Sequence, residues 1–459
     1  MKPTVRRATG MPAGTPEVAV AIVGAGACGL VAALALRDAG IECVLLERDP
    51  APQGSTALSS GFIPAAGTAV QRAAGVVDSA ELFAADIQAK AKGTAAAHLV
   101  AAYSQAAAPA IDALQERHGL AFELLDGFLY PGHRLRRMHC LPQRTGSALV
   151  AALDAAAARA GALLVPHALV HELWCDAAVV DDHQIIGIGY QRPDGRTEHL
   201  ACRALLLANN GFGGNAAMVA ELLPEMRQAT FAGHAGNDGS AIDWGRALGA
   251  GLADQGAYQG HGSWAVPQGA LITWALMMQG GVQVNAHGLR FHDETAGYSE
   301  AAVQVLAQPG GVAWNVFDDR LLALGCTFPD FVAAQGAGAV RDAADAQALS
   351  ALIGCNAAGL AGTLAGTVLN APYHAIKVTG ALFHTQGGLE IDAACRVLRS
   401  SGRPFRNLLA AGGAACGVSG QAVWGYLSGN GLLSAVAGGW IAAHTLISTM
   451  SRVIAGGSK

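Results

Sequence analysis

The chain has 459 residues, 52% of them hydrophobic and 14% charged, enough to bury two or three separate cores. Its net charge of −5, with no basic stripe, excludes most nucleic-acid binders. Nine cysteines are scattered without CxxC, CxxCH or a Cys/His cluster, so no iron–sulfur cluster, haem or metal is expected on this chain.

VAVAIVGAG (18–26) is an apolar run ending in glycines, and CGLVAALALRDAG after it has helical character. ECVLLE (42–47) then reads as a second strand, completing a strand–turn–helix–strand unit. The turn is Gly24-Ala25-Gly26-Ala27-Cys28-Gly29, a GxGxxG between strand and helix. In that pattern Gly24 permits the tight turn, Gly26 lets a pyrophosphate approach the backbone, and Gly29 lets helix pack on strand. Glu47 ends the second strand 18 residues past Gly29, where a carboxylate accepts hydrogen bonds from a ribose diol.

Further along, GSTALSSGFIPAAGT (54–68) is a loop of small residues suited to close backbone approach. DSAELFAADIQAKAKG opens with a helix cap at Asp78 or Ser79, and helices are expected at 96–118 and 146–160. From His171 to Ala208, alternation and a turn at Asp194-Gly195 predict a β-meander closing with the buried strand ALLLAN (204–209). Residues 225–371 turn to glycine-rich loops and short helices, and strand signals return from Ile376. The organisation expected is a discontinuous nucleotide-binding domain, 1–224 and 372–459, with a substrate or capping domain at 225–371. The longest apolar run, LLSAVAGGWIAAHTLI (432–447), is interrupted by glycines and a histidine, so it reads as a core helix and no membrane span is expected. The odd cysteine count and an N-terminus without an apolar leader suggest a cytoplasmic location.

Several stretches resemble the succinate dehydrogenase/fumarate reductase flavoprotein superfamily: the 54–68 loop, LLLANNGFGGN (205–215), LLAAGGAACG (408–417), DSAELF (78–83), GGVQVNAHGLRF (280–291), FHTQGG (383–388) and SGNGLL (428–433). Together they cover nearly the whole chain. The resemblance implies an α/β fold, with a Rossmann-like FAD-binding domain of the glutathione-reductase type and an inserted α+β cap. It places Gly24, Gly26, Gly29, Glu47 and Arg48 at the adenosine and pyrophosphate, and Ser55, Thr56, Ser60 and Gly61 along the flavin. Asn210 and Gly211 form the second loop, Asp238 lies on the ribityl side with Gly412 in the C-terminal loop, and Asn430, Gly431 and Leu432 meet the pyrimidine edge. Ser55 occupies the place of the flavin-linking histidine of the respiratory enzymes, which implies non-covalent FAD. Gly413 stands where most relatives carry a glutamate that contacts the ribityl chain, so that contact is expected to be lost or made by water.

RFHDETAGYSEA (290–301) concentrates polar residues in an otherwise apolar chain. In fumarate reductases an arginine donates the proton four residues past the glutamate of this stretch, and a second arginine precedes the C-terminal Gly-Asn pair. Here the two places hold Tyr298 and Tyr426, and a phenol cannot replace the guanidinium fork that clamps a carboxylate. A tyrosine at the first place instead resembles the 3-ketosteroid dehydrogenase branch, where it removes a proton beside a ketone. There the C-terminal tyrosine and a backbone amide bind the ketone oxygen; GYLSGNG lacks the usual spacing, leaving Asn430 or Gly431 as the amide. The resemblance thus implies an FAD-dependent dehydrogenase forming a C=C bond beside the carbonyl of a cyclic ketone or steroid-like substrate. The α-proton would pass to Tyr298 and the β-hydride to flavin N5, with Tyr426 and His384 completing the catalytic set.

Plainer readings stand beside these. Either tyrosine can be a core aromatic, His384 can brace a loop, and His261 reads as structural. Tyr130, Arg136, Arg137 and His139 read as a solvated surface more than a cover over the site. The alternative functions are an ene-reductase, a fumarate reductase or tricarballylate-type carboxylate enzyme using Arg136 or Arg137, or a non-enzymatic electron carrier or redox sensor. With one dinucleotide fingerprint no NAD(P)H domain is expected, and the electron acceptor is left among a quinone, a carrier protein and oxygen.

Overall fold

The computed structural model describes residues 2–178 and 184–456. Its first sheet grows from the glycine-turn unit. Strand Glu17–Val23 buries Val20, Ala21 and Ile22 completely, as a parallel strand covered on both faces must. It pairs in parallel with Cys43–Leu46 on one side and with Thr197–Leu207 on the other, and Leu163–Val165 lies beyond Cys43–Leu46. Thr197–Leu207 is the pivot of the sheet. Its first half pairs antiparallel with Ile185–Gln191, while Leu205–Leu207 pairs in parallel with Leu408–Ala410 from the C-terminal segment.

The expected helices are found at Ala97–His118 and Gly146–Arg159, and the meander at Leu169–Asp176, Ile185–Gln191 and Thr197–Leu207. Ser79 rather than Asp78 caps helix Ala80–Lys90, its Oγ accepting from the Leu82 amide at 3.3 Å. One strand was not foreseen. Thr4–Ala8 has no apolar alternation, yet it pairs in parallel with Glu172–Asp176, with the Arg6 guanidinium 4.7 Å over the Trp174 ring.

A second sheet orders Ala270–Leu271, Tyr258–Ala265, Tyr373–Thr385, Val312–Asp318 and Val282–Val284. Thr230–Phe231 and Arg341–Ala343 also pair with Tyr373–Thr385. The expected boundary at 372 is therefore misplaced: the first strand assigned to the returning FAD-binding segment is the centre of the second sheet. Conversely, helix Ser240–Leu248 lies within 225–371 but sends Ala241, Trp244 and Leu248 into the first core. An alternating apolar strand reads alike whichever sheet receives it, so sequence could not assign it. The lobes interleave along 230–253.

The last helix, Asn430–Gly456, is long and apolar enough by composition to cross a membrane, yet Leu433, Val436, Ala437 and Leu446 join the first core beside helix Ala27–Asp38. Its first turn, the ends of Glu17–Val23 and Thr197–Leu207, and the end of Tyr373–Thr385 all reach one cavity between the two sheets.

Candidate active site

One continuous cavity, open to solvent, is lined from the glycine turn at Gly24 and Gly26 through Ser55 and Asn210 to Tyr298 and Tyr426. At one end lies the glycine turn. Gly24 adopts φ +100°, and a Cβ there would sit 2.6 Å from the Ala208 carbonyl, so only glycine fits. A Cβ on Gly29 would collide with the Gly24 carbonyl, the close helix–strand packing the motif requires. Gly26 is the helix N-cap, with no side chain to offer the first-turn amides; it lines the cavity, and a Cβ there would sit 3.5 Å from Thr56 Oγ1. Those amides and the helix dipole favour an anion there.

Thr56 Oγ1 accepts from the Ala27 amide at 3.1 Å, tying the 54–68 loop to this turn. Glu47 is buried; its carboxylate accepts from the Ala25 amide at 2.9 Å and the Asp49 amide at 3.0 Å, while desolvation raises its pKa. Arg48 pairs with Asp238 at 3.5 Å, which draws Asp238 to the residue after Glu47. Asn209 Oδ1 and Trp244 Nε1 belong to residues lining the same cavity and are buried without a protein partner. Backbone turn, open N-cap, terminal carboxylate and orphaned polar atoms together fit an adenine dinucleotide.

Midway along the cavity, Ser55 Oγ accepts from both Asn210 Nδ2 and Asn237 Nδ2 at 2.9 Å. Asn210, at φ +68°, directs its Oδ1 to the Gly211 amide and into the space beside Gly413. The room left by the missing glutamate is thus occupied by the Asn210 carboxamide, where water or a lost contact had been expected. Ser60, Gly412, Gly431 and Leu432 line the cavity. Three expected flavin contacts instead lie behind its wall. Gly61, at φ +73°, packs 2.8 Å (Cβ position) from the Thr145 carbonyl, Gly211 packs on Thr385, and Asn430 is fully buried with Nδ2 donating to Ser419 Oγ.

The other end of the cavity is aromatic. The polar stretch at 290–301 builds a clamp beneath it. Buried Glu294 accepts from Arg290 and from the Gln283 amide, and its carbonyl accepts from Trp274 Nε1 at 3.0 Å. Gly297, at φ +144°, then turns the chain into helix Tyr298–Leu306, which Ser299 Oγ ties to the Gly260 carbonyl. Tyr298 is thereby delivered to the cavity wall, with the His261 ring stacked on it at 4.7 Å. Tyr426 meets Tyr298 edge-on at 6.1 Å.

Tyr298 Oη has Ser428, Tyr426 and the Gly429 amide as hydrogen-bond partners that favour the phenolate, but burial outweighs them and its pKa is raised. Tyr426 Oη accepts from the Gly431 amide at 3.3 Å and reaches Gln259 Oε1 at 3.2 Å; burial raises its pKa further. The Asn430 N–H is spent on the Leu427 carbonyl, whereas those of Gly431 and Gly429 face the phenols. Gly429 and Gln259 were missed: one is a glycine among many, the other a lone polar residue with no motif around it.

His384 lines the cavity, its ring 5.7 Å from that of Tyr426, while Nδ1 lies 3.2 Å from the Thr385 carbonyl. His261 Nδ1 accepts from the Ser263 amide at 3.1 Å, so Nε2 carries its proton. Burial lowers His384 to about 4 and His261 to about 3, so both rings are neutral.

The polar island at 130–139 is not a solvated surface. Arg137 is fully buried under Phe83, bound by Asp78 and Asp86, and His139 is buried against Thr68 Oγ1 at 2.8 Å. Arg136 pairs with exposed Asp126. Neither arginine lines the cavity, so neither binds a carboxylate there. Tyr130 does line it, against Phe62 and Phe128.

The profile of the FAD binding domain family matches residues 19–432. Over 445 residues the chain is 29% identical to the probable fumarate reductase Ifc3 of Shewanella frigidimarina, covering 92% of this chain and 74% of that one. Among solved structures, the open form of a flavocytochrome c3 fumarate reductase superposes with a TM-score of 0.78 at 26% identity, covering 95% of this chain and 79% of that one. The 3-ketosteroid-Δ4-(5α)-dehydrogenase of Rhodococcus jostii RHA1, bound to 4-androstene-3,17-dione, shares the fold with a TM-score of 0.76 at 23% identity, covering 97% and 100%.

Proposed function

Because the chain belongs to the FAD binding domain family and is an FAD-dependent oxidoreductase of the fumarate reductase and ketosteroid dehydrogenase superfamily, we propose that it desaturates a cyclic or steroid-like ketone beside the carbonyl. The observation that carries this reading is the meeting of two phenols and two backbone amides at one end of the cavity, with no guanidinium or ammonium among the described residues there. Arg48, the one lysine or arginine among the described lining residues, pairs with Asp238 at the other end. A dicarboxylate would bring two full charges into this aromatic end without a cationic partner, at a cost on the order of several kcal/mol per charge.

A ketone brings no charge until its α-proton leaves. Tyr426 is then the donor to the developing oxyanion, and the Gly431 amide on its Oη sharpens its acidity. Such a donor contributes roughly 3–4 kcal/mol in comparable sites. Tyr298, when ionised, takes the α-proton, with Ser428, Tyr426 and Gly429 holding the phenolate. Bound FAD supplies the two-electron acceptor for the β-hydride.

The raised pKa of Tyr298 favours a second reading in the reverse direction. A phenol kept protonated by burial is ready to give its proton to the α-carbon of an enone, which makes the protein an ene-reductase. The test is anaerobic. The oxidised holoenzyme is mixed with cyclic ketones or succinate, and the photoreduced holoenzyme with enones or fumarate, while flavin absorbance is followed. Bleaching by ketones supports desaturation and recovery of colour with enones supports reduction. Rapid reoxidation by fumarate with no response to any ketone or enone would overturn both.

A further inference from the structure

Beyond Tyr298 the cavity wall continues to Tyr130 and then to Asp330, in the first turn of helix Pro329–Gly336. Tyr130 stands between them: its hydroxyl has Thr273 as a hydrogen-bond partner and feels both Tyr298 and Asp330. Asp330 does not cap its helix; no side-chain cap bond is made at this N-terminus, and Asp330 Oδ2 accepts from Ser60 Oγ across the two lobes at 3.3 Å. Asp330 lines the cavity together with the apolar Phe328 and Leu271, and Ser60 Oγ is the hydrogen-bond donor to its carboxylate. Glu47, Arg48, Asp49 and Asp238 belong to the dinucleotide end, so Asp330 is the one carboxylate among the described residues of the aromatic end.

Resting on the ketone reading above, we propose that Asp330, positioned by Ser60, is a specificity-determining residue that selects substrates carrying a hydroxyl or ammonium donor at the end remote from the reacting carbonyl. An acceptor fixed in an otherwise apolar wall rewards a donor and penalises an anion, because a facing carboxylate meets like charge in a poorly hydrated space. A site built to bind a donor discriminates more strongly than apolar contact alone, since the wrong ligand leaves a polar group unpaired. The aromatic end is thereby read at two points, the ketone by Tyr426 and the remote substituent by Asp330.

The experiment compares cyclohexanone, 4-hydroxycyclohexanone, 4-aminocyclohexanone and 4-oxocyclohexanecarboxylate on the oxidised holoenzyme at neutral pH. Dissociation constants come from perturbation of the flavin spectrum, and flavin reduction is followed separately. The amino and hydroxy ketones are expected to bind at least tenfold tighter than the carboxylate. That order should collapse to within threefold in Asp330→Asn and survive in Asp330→Glu, with the flavin content of each variant unchanged. Equal binding of all four ketones, or an order unchanged in Asp330→Asn, overturns the assignment of Asp330 even if every ketone reduces the flavin. Selective binding without flavin reduction would leave Asp330 standing and count against the desaturase reading instead.

Discussion

The carboxamide of Asn210 stands where any side chain on Gly413 would have to grow, so the two positions share one volume beside Ser55. Gly413→Glu is expected to expel the carboxamide, break its hydrogen bonds to Ser55 Oγ and the Gly211 amide, and weaken FAD binding by at least about tenfold, since two buried bonds are lost. Adding Asn210→Gly should restore most of the affinity. Titration of apoprotein with FAD, followed by flavin fluorescence, measures both. Losses that simply add in the double variant would show that the two residues do not compete.

Tyr298→Phe keeps the ring against His261 and removes only the hydroxyl. It should bind FAD with an unchanged spectrum and lose turnover by at least about 100-fold, the usual worth of a positioned acid or base. Activity close to that of the parent chain would make Tyr298 a packing residue.

Tyr426→Phe removes the donor beside the Gly431 amide. Turnover should fall roughly 100-fold or more, in kcat rather than KM, because the oxyanion develops only as the proton departs. A change confined to KM would assign Tyr426 to ground-state binding.

Burial holds His133 and His384 near 4 and His261 near 3. An unfolded histidine takes up a proton near 6.5, whereas these rings do not, so stability is full above about pH 6.5 and falls as the pH drops. Each ring contributes up to about 3 kcal/mol of loss by pH 4. Thermal midpoints should be flat from pH 7 to 8 and fall by roughly 5 °C or more on going to pH 4.5, less steeply in His133→Gln. A flat profile down to pH 4.5 would contradict neutral burial of these rings.

Ser55 Oγ is engaged by two asparagine amides, and the chain carries no histidine at this position. Acid precipitation should therefore release the flavin into the supernatant. A yellow pellet would mean that another residue forms a covalent link.

The glycine turn and its strands were legible because each glycine answers a local steric demand, as Gly24 does against Ala208. Tyr298 was singled out by the resemblance of its stretch to a known motif, and the side chains of that same stretch build the clamp beneath it. What could not be read was set by distant pairing. Tyr373–Thr385 has the same alternation in either sheet, and Arg137 looked like surface because nothing local announces that Asp78 and Asp86 neutralise it inside the fold. Asp330 carried no motif, and its meaning comes from Ser60, 270 residues away.

The clamp around Glu294 has its own logic. Arg290, the Gln283 amide and Trp274 all converge on Glu294, and none of these hydrogen bonds uses the side chain of residue 298. The segment therefore works as a socket, with foundation and cavity-facing tip set by different residues. On the reading proposed above, exchanging a guanidinium for a phenol at the tip would exchange anionic for neutral substrates without rebuilding the foundation. Divergence of substrate chemistry in such a protein requires few steps, concentrated at the rim of the cavity rather than in its cores.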